Sequence, residues 1–205
     1  ARQLLAPALA YYSLVLIGLG EHAAALEAGT EALELARTLQ HRWLLAFALI
    51  VSGNNIFIQK GIEAARPTFE EGLELARVIG DPWLLSFAVR AMAVVASLTG
   101  DSPAALGLFE ESVNLMREIG DRWGLAYSSV LLSYEYLRSG QIDQARLQLD
   151  ESLTLAREIA SPTSMAIVLL GYAGWAAARG QSVRAGHLIG AADSVMAAIN
   201  ARWWP

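Results

Sequence analysis

Three features of this sequence predict an all-α repeat fold. Aligning Gly20, Lys60, Gly100, Gly140 and Gly180 sets a register of 40 residues with no insertion or deletion. Three columns of small residues hold that register. Ala25, Ala65, Ala105, Ala145 and Ala185 lie five positions after the anchor, and Ser13, Gly53, Ala93, Ser133 and Ala173 lie seven before it. Ala32, Gly72, Ser112, Ser152 and Ala192 lie twelve after it. Between anchors, apolar residues recur at three- and four-residue spacing. In "PTFEEGLELARVIG" and "LGLFEESVNLMREIG" they oppose Glu70, Glu71 and Glu74, or Glu110 and Glu111, the pattern of a helix with one buried stripe.

Each unit reads as two helices. The first opens near a Trp (Trp43, Trp83, Trp123) and runs to the anchor; the second runs from there to the next Gly-Asp. Gly120 suits the left-handed position after a helix end. Asp121 can accept from the free N–H groups of the helix that follows, and Pro82 fits a first turn. Asp101 and Pro103 do the same for another second helix. The small columns mark where the two antiparallel helices touch, and a Leu at Ala105 would overpack that contact by about 1–3 kcal/mol. Phe69, Phe109, Leu149 and Ile189 share a column expected to fill the gap between units, and the Trp residues are expected to pack on the preceding hairpin. The expected hairpins are 1–40, 41–80, 81–120, 121–160 and 161–200. They form one repeat domain over 1–205, with an aromatic tail "ARWWP" at 201–205.

The sequence of small residue, Gly, Ala, aromatic and small residue at these offsets resembles the tetratricopeptide repeat. That resemblance covers the whole chain and implies a right-handed superhelical solenoid of about five helical hairpins. The departures are a period longer than the usual 34 or so residues and the lack of the family's terminal Pro, near which stand Arg37, Arg77, Arg117 and Arg157. "EEGLELARVIGDPWLLSFA", "FEESVNLMREIGDRWGLAYS" and "RGQSVRAGHLIGAADSVMAAINA" also resemble the C-terminal helical arrays of bacterial signal-transduction ATPases of the LuxR type. In such regulators the array is a sensor or interaction segment. No phosphate-binding loop of the G-x-x-x-x-G-K-[ST] type occurs here, so no ATPase chemistry is assigned to these residues.

Composition narrows the classes. With 55 % hydrophobic and 17 % charged residues the chain has the material for a large buried surface. A net charge of −5 and the lack of any basic run argue against nucleic acid as a direct partner. The sequence has no Cys, which rules out thiol chemistry and fits a cytoplasmic setting. "MAIVLLGYAGWAAA" (165–178) is uncharged but shorter than the roughly 20 residues of a membrane span, so no membrane role is expected. His22, His41 and His187 lie far apart in the repeat register, which opposes a metal site or a catalytic triad. No enzyme activity, cofactor or metal is expected. The chain begins inside a helical pattern without Met and reads as a piece of a longer protein.

In stacked hairpins the first helices line the concave side, and here they are nearly uncharged while the second helices carry most of the acids. The tetratricopeptide resemblance implies groove positions at fixed offsets before each anchor. These are Phe47, Ile50, Asn54 and Phe57, then Phe87, Arg90 and Val94, then Tyr127, Val130, Tyr134 and Arg138. An apolar, aromatic groove of this kind suits a protein or peptide partner, or a small apolar ligand. Asn54, in "SGNNIF", is a candidate clamp for a peptide backbone, against the plainer role of bonding within its own helical turn. Arg90 is the candidate for an anionic group. The expected function is a non-catalytic binding scaffold, the sensor or interaction segment of a larger bacterial regulator. A receptor for a hydrophobic inducer or signalling peptide and an oligomerisation scaffold are the alternatives. The last rests on Trp203 and Trp204, since terminal repeats ordinarily need a polar cap, and would make the chain a homodimer.

Overall fold

The computed structural model describes residues 2–199, and among them ten α-helices and no strand. In order they are α1 (Arg2–Leu19), α2 (His22–Leu39), α3 (Arg42–Lys60), α4 (Ile62–Ile79), α5 (Pro82–Leu98), α6 (Ser102–Ile119), α7 (Arg122–Arg138), α8 (Ile142–Glu158), α9 (Pro162–Ala178) and α10 (Ser182–Ala198). Their starts repeat on the 40-residue register. The expected aromatic tail, with Trp203 and Trp204, lies outside the described residues.

Local chemistry sets the boundaries. The Asp81 carboxylate accepts from Leu84 N–H at 2.8 Å, and Asp121 accepts from Gly124 N–H at 2.8 Å. Each satisfies a donor that a helix start leaves free. His41 does the same for α3, its Nδ1 accepting from Leu44 N–H at 3.3 Å. Gly80 and Gly120 end their helices at φ 72°, the left-handed conformation that costs glycine nothing. In the same register Gln40 and Ala160 adopt φ 51° and 50° with a Cβ in place.

Among the described residues the contacts group the chain into two compact units, 2–99 and 100–199. The third expected hairpin thus contributes α5 to the first and α6 to the second. In the first unit α1 packs on α2, α3 on α4, α2 on α3, and α5 on α4 and α3. The small columns do what their size suggests. Ser13, Ala25 and Ala65 are fully buried, and the Ser13 hydroxyl donates to the Ala25 carbonyl at 2.7 Å. At Gly53 the Phe69 ring lies where a Cβ would stand, with Cε1 only 2.4 Å from that position. Phe69 therefore fills the interior of its own hairpin.

In the second unit α7 packs on α8, α9 on α10, α6 on α7, and α9 on both α8 and α7. Ser133 and Ala145 are fully buried. Ser152 donates to the Ala126 carbonyl at 2.7 Å, and Leu149 occupies the space beside Gly171 of the following hairpin. The Phe109 and Leu149 positions are buried, but their column partner Ile189 is 45 % exposed. Outside, Arg117 forks onto both oxygens of Glu151 at 3.0 Å.

One described helix, α3, is long and apolar enough to cross a membrane; 56 % of that stretch is buried inside the protein.

Candidate functional site

The first unit places an aromatic cluster on its first helices. Trp43 and Phe47 of α3 lie four residues apart, as do Trp83 and Phe87 of α5, so each pair falls on one helix face. Trp43 stacks on Trp83 with centroids 6.1 Å apart, and Trp83 stacks on Phe87 at 5.8 Å. Phe47 lies beneath, 5.5 Å from Trp43, 5.8 Å from Trp83 and 5.9 Å from Phe87. Tyr11 of α1, 48 % exposed, closes the cluster at 4.8 Å from Phe47. Trp43, Trp83 and Phe87 are half-buried. Trp83 thus packs on Trp43 and Phe47 of the preceding hairpin, as expected of the tryptophans.

In the second unit Trp123 is 48 % exposed and stacks on Tyr127 at 5.7 Å, 7° from parallel. Tyr134 is half-buried on the same helix. Its ring lies against Gly174 of α9, where a Cβ would come within 3.2 Å of Cε1. Burial first, and then Tyr127, pushes the Tyr134 hydroxyl up to about 12, so it stays a neutral donor at physiological pH.

Several expected groove residues sit below the surface. Phe47 and Ile50 are fully buried and Val130 is 1 % exposed. Ile50 faces Gly72 inside its hairpin, and Val130 lies under Gly171 of α9. These three support the face and cannot touch a partner. Arg90, expected to meet an anion, is itself buried with its guanidinium over Phe87 at 4.9 Å. Arg138 is exposed but donates to Glu135 on its own helix at 3.3 Å. Asn54, Phe57, Phe87, Val94, Tyr127 and Tyr134 are half-buried and accessible in part.

The engaged asparagine is Asn55. It is buried, and its Nδ2 donates to Ser13 Oγ at 2.9 Å and to the Val51 carbonyl at 3.3 Å. Bonding within a helical turn, weighed for Asn54, thus falls to its neighbour. The residues the offsets missed are Tyr11, Trp43, Trp83 and Trp123. The four-residue spacing from each Trp to Phe47, Phe87 or Tyr127 is the signal that finds three of them.

Among the described residues no group of three or more His, Asp or Glu side chains converges as a metal site would need. The site offers aromatic surface and few polar groups, which suits burial of apolar partner groups.

The family described as anaphase-promoting complex subunit 5 matches residues 3–56, 80–136 and 127–173, well over half of the chain. No curated protein matches the sequence at a significant level. Solved structures share the fold. A Rap protein complexed with competence and sporulation factor superposes with TM-score 0.78 at 15 % identity, over 94 % of this chain and 53 % of that one. The Rap conjugation gene regulator of plasmid pLS20, in complex with the Phr* peptide, gives 0.72 at 14 %, over 95 % and 63 %. TPR-like repeats of a kinesin light chain from Podosopora anserina give 0.65 at 13 %, over 94 % and 95 %. At such identities the likeness is one of fold: this chain is built of tetratricopeptide-like helical hairpins. It spans about half the length of the first Rap protein and under two thirds of the second.

Proposed function

The chain belongs to the anaphase-promoting complex subunit 5 family, and from that premise we propose that it is a non-catalytic scaffold binding a protein or peptide through the aromatic face of its first helices. The observation that carries this reading is the half-buried trio Trp43, Trp83 and Phe87, held in place by the buried Phe47. Rigid, partly exposed aromatic rings bury much apolar area at low entropic cost, which is why they anchor interfaces. A peptide ligand is further supported by the solved relative that carries the Phr* peptide on the same fold.

The finer reading follows from the resemblance to bacterial regulator arrays. The chain is the sensor or interaction segment of a larger cytoplasmic transcriptional regulator. Occupancy of the aromatic face biases how the array associates with the rest of that protein. In the first unit the accessible Phe87 makes the contacts, with Asn54 and Phe57 also partly exposed; in the second unit Tyr127 does so, with Tyr134.

Native mass spectrometry against a library of apolar peptides tests this. The wild type should retain peptide, and the Phe87→Ala, Tyr127→Ala double variant, with helicity unchanged by circular dichroism, should lose at least about tenfold in affinity, some 1.4 kcal/mol. Equal retention by the two proteins would sink the reading.

A further inference from the structure

The last hairpin breaks the repeat at three positions that meet in space. Where α9 carries Trp175, the other first helices carry Val15, Asn55, Val95 and Glu135. Arg179 stands in register with Leu19, Gln59, Thr99 and Ser139, and Arg184 with Ala24, Ala64, Ala104 and Gln144. Trp175 lies near the end of α9, Arg179 follows that helix, and Arg184 sits in the first turn of α10. Arg146 reaches in from α8. The guanidinium carbons of Arg146, Arg179 and Arg184 lie 5.0, 4.9 and 5.8 Å from the Trp175 ring centroid.

Three cations around one indole are poorly balanced. Asp150 takes Arg146 at 2.9 Å through both oxygens and also accepts from the Tyr172 hydroxyl. Among the described residues Arg184 donates only to the Gln181 amide oxygen, at 3.4 Å. Among the described residues neither Arg179 nor Arg184 has a carboxylate partner. Arg184 also stands at a helix start, where the helix dipole disfavours a cation. The buried Trp175 Nε1 has no acceptor either. The cluster is rich in donors and short of acceptors, which is the complement of an anion.

We propose that this cluster docks an acidic segment of a partner protein, with its carboxylates on Arg179 and Arg184. Both arginines are exposed, and one exposed ion pair contributes little alone, so a ligand must present several charges in a row. Acidic residues two apart in an extended segment lie about 7 Å from each other, a spacing these guanidiniums can span. The chain is acidic as a whole, at net −5, so long-range repulsion keeps such a segment off the Glu-rich helices and only the local charge of this patch attracts it. The patch is independent of the aromatic face and stands or falls separately.

Isothermal titration calorimetry of the full chain with acetylated, amidated hexaglutamate at low salt is the test, with inorganic phosphate as the comparison. Hexaglutamate should bind, weaken with added sodium chloride, and lose at least about tenfold in affinity to the Arg179→Gln, Arg184→Gln variant. Arg184→Ala alone, which restores the residue three other hairpins carry, should weaken binding with helicity intact and so guards against a folding defect. No binding to the wild type, or equal affinity for the variants, would overturn the proposal. Phosphate binding as tightly as hexaglutamate would overturn it too, because the site would then take a single compact anion.

Discussion

Trp43 and Trp83, one repeat apart, stack with their ring centroids 6.1 Å apart and 19° from parallel. The pair couples α3 to α5 through side chains that are only half-buried. Aromatic pairs of this geometry contribute about 0.5–1.5 kcal/mol beyond the area they bury. A double-mutant cycle of Trp43→Ala and Trp83→Ala, read by urea unfolding, should return a coupling energy in that range. A coupling near zero would mean the rings are neighbours without mutual stabilisation.

Gly53 is the most closely approached described glycine of the first unit. A Cβ there would stand 2.4 Å from Phe69 Cε1 and 2.5 Å from Cδ1. Phe69 is 2 % exposed, so its ring cannot swing out to solvent without losing its buried contacts. Gly53→Ala should destabilise the protein by about 1–3 kcal/mol. Adding Phe69→Leu should recover part of that loss, which differential scanning calorimetry of the single and double variants would reveal as a less-than-additive change.

Ala160 holds the left-handed conformation that glycine holds at positions 80 and 120. That conformation costs a Cβ-bearing residue about 1–2 kcal/mol, while glycine costs about 0.4–1 kcal/mol through unfolded-state entropy. Ala160→Gly should therefore raise stability by up to about 1.6 kcal/mol in chemical denaturation. A loss of stability would show that the Ala160 methyl makes contacts worth more than the strain.

Burial comes first in raising Tyr134, Tyr136 and Tyr172 to about 12; the Glu110 carboxylate adds to it for Tyr136, and Asp150 for Tyr172. In the unfolded chain these phenols ionise near 10. Below that pH both states hold the proton and the stabilisation is complete. Between about 10 and 12 the unfolded state loses its protons first, so stability should fall with rising pH across that window. Ultraviolet titration should show Tyr134, Tyr136 and Tyr172 ionising late.

Helix positions were readable because the 40-residue register repeats a complete local grammar. Asp81 and Asp121 cap, Gly80 and Gly120 terminate, and the small columns set the close contacts. Depth was not readable. An offset says which way Ile50 or Val130 points, but only the packing of Gly72 and Gly171 says that another helix already lies there. Asn54 and Asn55 show the same limit at finer scale. One step along a helix turns the side chain by about 100°, and the engaged amide proved to be the second. The arginines around Trp175 come from α8, the turn after α9 and α10, so no local pattern announces them.

The register position shared by Val15, Asn55, Val95, Glu135 and Trp175 makes the hairpins non-interchangeable. Asn55 is matched to Ser13, Glu135 receives the Ser102 hydroxyl and the Arg138 guanidinium, and Trp175 sits among its arginines. Val95 is buried with no polar need. The hairpins of Asn55, Glu135 and Trp175 thus each carry an address legible only to their own neighbours. Transposing the Asn55 or Glu135 hairpin to another place would strand a buried polar group without its partner, so this array behaves as a fixed text and not as a string of exchangeable beads.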